Sequence, residues 1–320
     1  MNVNAVRATP DLADLAALDA RINAVLPPQY QGCYEAVSPV SMGSAALKFG
    51  TDGRVAWDDI WTSFCDLALA GGPPHRGTLL EPADADEVAA EPEQYQRVVE
   101  EIGRGLWLVI GLHVLPRVAP GWVGLVCPDE AMAGWLLRAV TAENVAARQQ
   151  GNVLLLPAGP RFRLEKEIKN AVTAAAKTCH HWTSHMSVSE QAAAAGVFAE
   201  QAAATELLEP ASVEIIRARP EEYRVAVERS ARSIQETTDW PAAAGSALGW
   251  LNVACPDVAV AVWLLRATIV ENVLTRREEN RLCLPVSQGC MSDPGSGSVA
   301  GRFAWAHRLW RMHVGRERRI

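Results

Sequence analysis

Two stretches of this chain carry the same sequence pattern at a spacing of 128 residues. Residues 121–157 read GWVGLVCPDEAMAGWLLRAVTAENVAARQQGNVLLLP, and residues 249–285 read GWLNVACPDVAVAVWLLRATIVENVLTRREENRLCLP. Extended outward to 79–157 and 207–285, the copies are identical at 33 of 79 aligned positions, with no insertion or deletion. This pattern predicts an internal duplication, and two homologous units in one chain commonly pack about a pseudo-two-fold axis.

Each copy predicts the element order βαββαβ. In the first copy a short strand at 78–80 precedes a helix over 84–108, a hairpin turned at Pro120–Gly121, a helix from Pro128 to about Gln150, and a last strand over 152–156. This is the order of the split βαβ or ferredoxin-like fold. The sequence therefore predicts an α+β protein with two ferredoxin-like units, and another two-layer α+β arrangement is the alternative.

The remaining segments complete a five-part organisation. Residues 1–78 are predicted to hold an N-terminal helix over 11–25, a hairpin across Gly50–Gly53 and a Gly-Pro loop. The first repeat covers 79–157 and the second covers 207–286. Residues 158–206 are linking helices, because 164–186 has an apolar stripe that recurs every three or four residues. Residues 287–320 are predicted to be a flexible basic tail.

Composition restricts the classes of function. The net charge is −7, and the tail alone holds six arginines against two acids, so the main body is acidic and unsuited to nucleic acid. The longest apolar run, 105–115, is too short for a transmembrane segment, and the acidic N-terminal region lacks a signal-peptide pattern. Seven cysteines without a Cys-x-x-Cys pair indicate reduced thiols and a cytoplasmic location.

The Gly-Pro loop, residues 71–77, is the first candidate site. Gly71 and Gly72 would let the backbone approach a ligand closely, and Arg76 would donate to a carboxylate or phosphate. His75 could transfer a proton near neutral pH. His75, Arg76 and Cys65 are the candidate catalytic residues, although no reaction can be identified. The alternative is a rigid turn between a helix and a strand.

Polar residues on the predicted helices form a second candidate group. The linking helix offers Lys169 and Lys177 on a basic face that suits an anion. Each repeat helix carries an asparagine and an arginine on one face, so four residues would line a cleft between the repeats: Asn144, Arg148, Asn272 and Arg276. The alternative is that these side chains satisfy buried backbone groups.

A third candidate is the segment Cys179-His180-His181-Trp182-Thr183-Ser184-His185. Thiol and imidazole ligands suit zinc, nickel or copper, so a transition metal is the one candidate cofactor. His181 and His185 are separated by one helical turn and could supply two ligands. Cys179 lies on the nearly opposite face, so it does not converge with them on a regular helix. The alternative is a solvated basic face.

Three functions remain open. The first is a cytoplasmic protein, either a binding protein or an enzyme, that binds a small anionic ligand between the repeats. The second is a non-catalytic metal-binding or metal-delivery protein that uses the Cys-His-His segment. The third is an assembly or regulatory module whose basic tail binds an acidic partner or a membrane surface, the alternative being a terminus with no fixed role.

Overall fold

A computed structural model of the chain describes residues 9–32, 46–60, 66–75, 79–292 and 298–317 and has an α+β architecture. The chain divides into two compact units. The first unit is Val37–Ala195 and contains the first repeat. The second unit combines Met1–Ala36 with Gly196–Ile320 and contains the second repeat.

The elements follow one another along the chain in a nearly repeated order. Their bounds are α1 Leu12–Ala24, α2 Ala85–Ala90, α3 Pro92–Ile110, β1 Val114–Ala119, β2 Trp122–Val126, α4 Glu130–Ala142, β3 Arg148–Gln150, β4 Val153–Pro157, α5 Lys169–His185, α6 Val188–Ala204, α7 Val213–Ala218, α8 Pro220–Thr238, β5 Ala242–Ala244, β6 Trp250–Ala254, α9 Val258–Val270, β7 Arg276–Glu278, β8 Arg281–Pro285, α10 Gln288–Ser292 and α11 Val299–Glu317. A π-helical turn, Leu164–Ile168, leads into α5.

The sheet order differs from the ferredoxin-like prediction. Each unit has a four-stranded antiparallel sheet, in the order β1-β2-β4-β3 in the first unit and β5-β6-β8-β7 in the second. A split βαβ unit has its first strand inside the sheet. Here the described part of the predicted first strand makes a single parallel bridge, between Leu80 and Val145, which lies outside the sheet. The predicted βαββαβ order is therefore incomplete, and the topology is not the ferredoxin-like one.

The early end of α4 explains the extra strand. The helix was predicted to continue to about Gln150, but it ends at Ala142 because Asn144 adopts the left-handed conformation, with φ at 63°. The chain is thereby freed to form β3, which pairs with β4 as a tight hairpin. Asn272 has a φ of 60° and ends α9 in the same way.

The identities between the repeats correspond to repeated contacts. Asp129 caps α4 by accepting from the Met132 N–H, and Asp257 caps α9 by accepting from the Val260 N–H. The hydroxyl oxygens of Tyr95 and Tyr223 each accept from the glycine N–H of the Gly-Trp pair that opens β2 or β6. The bridge between Leu80 and Val145 also returns, as a bridge between Leu208 and Val273. The repeated sequence thus specifies repeated local structure.

The described part of the N-terminal region contains a capped helix and a hairpin bridge. Asp11 caps α1 through a capping box with Asp14, as the sequence indicates. The hairpin across Gly50–Gly53 is present as a single antiparallel bridge between Phe49 and Val55. In the second unit α1 packs against α9 and α11.

The C-terminal segment differs from the predicted flexible tail. Residues 299–317 form α11, which packs against α8 and α9 and buries Phe303, Ala306 and Leu309 completely. The three residues recur every third position, so they share one face of the helix. Burial of that face provides the free energy that orders the segment.

No helix within the described ranges is long and apolar enough to cross a membrane.

Candidate functional site

The structure brings the Gly-Pro loop and the basic face of α5 together in the first unit. Lys169, Thr173 and Lys177 lie four residues apart on α5, so their side chains share one face of the helix. The Thr173 hydroxyl lies 3.4 Å from Nε2 of His75, and the Lys177 ammonium lies 3.4 Å from the carbonyl oxygen of Asp66. Two segments that the sequence singled out separately thus form one polar site.

A buried ion-pair network forms the floor of this site. Lys177 donates to Oε2 of Glu143 at 2.8 Å and to Oδ1 of Asp66 at 3.4 Å. The other Glu143 oxygen, Oε1, accepts from the Ala68 N–H at 2.7 Å. Glu143 is the C-cap residue that follows α4, and its side chain is fully buried. The network therefore ties α4, α5 and the segment before the Gly-Pro loop to one another.

Lys177 is charged despite its burial. Burial alone would lower the pKa of its ammonium group, but Glu143 and Asp66 raise that pKa above the ordinary lysine value. Burial raises the pKa of Glu143, and Lys177 opposes this effect. Because two carboxylates pair with Lys177, this lysine organises the site, and its positive charge is fully offset within the network.

His75 is a neutral imidazole. Burial, with the positive charges of Lys177 and Lys169 as further causes, lowers the pKa of His75 to about 3. Burial also lowers the pKa of Lys169. The Asn144 amide donates to the His75 carbonyl at 3.3 Å, which fixes the end of the Gly-Pro loop. The Thr173 hydroxyl donates to the Lys169 carbonyl at 2.8 Å, so its oxygen is the acceptor in the contact with His75. This contact is a hydrogen bond in the tautomer of His75 that carries its proton on Nε2.

The backbone geometry of the loop explains why residues 71 and 72 are both glycine. Gly71 has a φ of 104°, in the left-handed region, and follows a short 3₁₀ turn. A Cβ atom on Gly72 would lie 2.3 Å from the carbonyl oxygen of Asp66. The glycines therefore let the loop double back on the chain and bring Asp66 to Lys177.

The predicted site residues separate into two groups. His75, Lys169, Lys177 and Asn144 meet at the site, whereas Arg76 and Cys65 lie outside the described residues. Arg148 places its guanidinium 5.0 Å from the ring centroid of Trp122, and Arg276 repeats this contact with Trp250 at the same distance. The Asn272 amide donates to the Thr205 carbonyl at 2.8 Å in the second unit.

Sequence reasoning missed Glu143, Asp66 and Thr173. Glu143 carried a usable signal, because it is identical to Glu271 and lies at the end of a predicted repeat helix. Thr173 lies midway between the two predicted lysines on one helical face. Asp66 had no recognisable signal, since its role depends on the reversal of the chain at Gly72.

The histidine segment occupies the last turns of α5. Cys179 and His181 are buried, whereas His185 is exposed. Burial raises the pKa of the Cys179 thiol well above its ordinary value, which disfavours the thiolate that a metal ion requires. The His185 ring centroid lies 4.9 Å from that of His180 and 5.1 Å from that of His181. Among the described residues, no group of three His, Cys, Asp or Glu side chains has the arrangement of a metal site.

Comparison of the chain with models of protein families, with curated proteins and with solved structures finds no match.

Proposed function

We propose that the protein binds a small anionic ligand, with a phosphate or carboxylate group, at the His75–Thr173–Lys169 face of the first unit. The observation that carries this proposal is the convergence of the Gly-Pro loop on α5, with His75 Nε2 at 3.4 Å from the Thr173 hydroxyl. Lys169 lies on the same helical face, one turn before Thr173. This arrangement combines a cation with two hydrogen-bonding groups, as anion recognition requires.

Each group has a distinct task in this proposal. Lys169 supplies the attractive charge, and desolvation of a partly buried ammonium strengthens its interaction with an anion. On binding, the Thr173 hydroxyl turns from the Lys169 carbonyl and the His75 Nε2–H turns from Thr173, so that both groups donate to the ligand. Lys177 positions the helix and the loop through Glu143 and Asp66. Arg76 follows His75 in the chain and is proposed as a second cation.

The pKa of His75 favours binding over acid–base catalysis. A group with a pKa of about 3 is a weak base at neutral pH, so His75 acts as a neutral hydrogen-bonding group. We therefore assign no catalytic residue and propose a binding protein before an enzyme. The cysteines within the described residues, 127, 179, 255, 283 and 290, are free and buried thiols, which supports the proposed reducing, cytoplasmic environment.

Isothermal titration with inorganic phosphate tests the proposal. The wild-type protein should bind phosphate saturably, and Lys169→Gln should weaken binding at least about tenfold, as expected for a lost charge-assisted contact. Lys166→Gln is the matched control, because Lys166 is exposed and its ion pair within the described residues is with Glu167. Equal binding by the two variants, or no phosphate binding by the wild type, would refute the proposed site.

A transition-metal site is the second candidate, and the approach of His185 to both His180 and His181 favours it. Two imidazoles with water could hold nickel, copper or zinc weakly, and the pair His180 and His185 combines a half-buried ring with an exposed one. Titration with Ni²⁺ should show binding that His185→Ala removes and His113→Ala retains. Absence of that difference would exclude the histidine segment as a metal site.

For the third hypothesis, an acidic partner of the tail, the exposed arginines within the described part of α11 are 311 and 316, and they are the candidates for that contact.

A further inference from the structure

One cavity of the structure lies wholly within the second unit. It has a volume of about 410 Å³ and combines residues of α1, α6 and α11 with the end of α9. Its lining residues are Thr9, Asp14, Ala17, Arg21, Gln201, Glu271 and Trp305. A volume of this order lies within the range of small-molecule sites.

The inner wall of the cavity is the counterpart of the network in the first unit. Glu271 is the repeat equivalent of Glu143, caps the C-terminal end of α9 as Glu143 caps that of α4, and is almost fully buried. Its cationic partner is Arg21 of α1, whose guanidinium lies 2.5 Å from Oε1 of Glu271. Arg302 of α11 donates to the Glu271 carbonyl at 3.2 Å. The two repeats therefore use one buried glutamate position with different cations.

The remaining lining residues determine the charge of the cavity. Among the lining residues, Arg21 and Glu271 offset each other and Asp14 adds one negative charge. Arg302, which contacts the Glu271 backbone, is not a lining residue. One Asp14 oxygen accepts from the Asp11 N–H at 2.9 Å, which holds the carboxylate in place on the first turn of α1. Gln201 adds an amide, and the buried indole of Trp305 adds a flat apolar wall.

We infer that this cavity is a binding site for a small molecule that joins a primary ammonium group to a planar apolar group. The ammonium pairs with Asp14, and the planar group packs against Trp305. This site is separate from the anion site of the first unit and has the opposite charge preference. It requires no residue of the first unit, so it stands or fails independently of the proposed function.

Titration calorimetry with 2-phenylethylamine and with its acidic counterpart, 3-phenylpropanoate, tests the inference. The amine should bind and the acid should not. Asp14→Asn keeps an acceptor oxygen for the Asp11 N–H but removes the charge, and it should weaken amine binding about tenfold. Asp19→Asn, on the same helix but outside the cavity, should bind like the wild type.

A spectroscopic signal locates the ligand. In protein labelled with 5-fluorotryptophan, amine addition should shift the ¹⁹F resonance that Trp305→Phe removes. If Asp14→Asn fails to fold, Gln201→Leu serves instead and should weaken binding severalfold. No amine binding, equal binding of acid and amine, unchanged affinity in Asp14→Asn, or an unshifted Trp305 signal would each overturn the inference.

Discussion

The side chain of Glu143 divides its two oxygens between a backbone N–H and an ammonium group, in a place that water does not reach. Removing one member of such a pair leaves the other as a buried, uncompensated charge. Removing both avoids that cost. The buried network therefore allows a double-mutant test that separates charge compensation from packing.

We predict that Lys177→Met lowers the free energy of unfolding by about 3–5 kcal/mol, because Glu143 remains buried without its cation. The double variant Glu143→Gln with Lys177→Met should recover part of this loss. Urea unfolding at pH 7.5 measures both, with the exposed Lys166→Met as control. A single variant as stable as the control would contradict the proposed coupling.

His307 is a buried imidazole of α11, with ring centroids 4.6 Å from Trp240 and 5.5 Å from Trp310. Burial, followed by Arg311 and Arg308 and opposed by Asp239, lowers the pKa of His307 to about 4 from an ordinary value of 6.5. The unfolded chain therefore takes up this proton first as the pH falls. Stability is fully present above pH 6.5 and is lost progressively toward pH 4.

We predict that His307→Phe reduces the loss of stability between pH 7.5 and pH 5 by up to about 2 kcal/mol. The phenyl ring retains the aromatic packing and has no proton to take up. Urea unfolding of both proteins at the two pH values gives the difference directly. Equal losses would show that His307 is not held neutral in the folded protein.

At the scale of elements, the helix ends explain where prediction from sequence succeeded and failed. The Cys-Pro-Asp segments correctly indicated where α4 and α9 begin, since Asp129 and Asp257 cap them. The ends were missed because Asn144 and Asn272 interrupt an apolar pattern that continues beyond them. Asparagine is a weaker stop signal than glycine, although it tolerates the left-handed conformation.

We predict that Asn144→Ala is less stable than Asn144→Gly by about 1 kcal/mol. Both variants lose the hydrogen bond from the Asn144 side-chain amide to the His75 carbonyl. They therefore differ mainly in the cost of a positive φ at residue 144. Thermal unfolding of the pair provides the measurement. If Asn144→Ala proved as stable as Asn144→Gly or more stable, the left-handed conformation assigned to residue 144 would be wrong.

The α11 segment shows how composition can mislead. Its arginines and the preceding Ser-Gly residues predicted a flexible tail, but a spacing of three places Phe303, Ala306 and Leu309 on one buried face. We predict that Leu309→Ala lowers the free energy of unfolding by about 2–5 kcal/mol. Leu12→Ala, at a 67% exposed position, should change it by less than about 0.5 kcal/mol. Chemical denaturation compares them, and similar values would restore the flexible-tail interpretation.

At the scale of the molecule, the repeat predicted two sets of matching elements but not their sheet order. Local patterns specify caps, turns and helix faces, whereas the pairing of β2 with β4 joins strands separated by a helix and a third strand. The grouping of α1 with the second unit also depends on contacts distant in sequence, such as Arg21 with Glu271. Single-sequence patterns do not contain this information.

The candidate site was predictable in its parts and not in its assembly. The Gly-Pro loop and the α5 lysines had each been selected by residue type. Their meeting depends on the close approach of Gly72 to Asp66 and on the burial of Glu143 beneath Lys177. The repeat then provides an internal comparison, because the Glu271 position has a different cation and lines a cavity.

The most direct test of the proposed anion site is a phosphate titration followed by ¹⁵N NMR of the His75 imidazole. We predict that the ring is neutral from pH 8 to pH 5, because the pKa of His75 is lowered to about 3. Phosphate should shift the His75 resonances saturably in the wild type and in Lys166→Gln, whereas Lys169→Gln should need at least about tenfold more phosphate for the same shift. Resonances that phosphate leaves unchanged, or that shift equally in Lys169→Gln, would contradict the account.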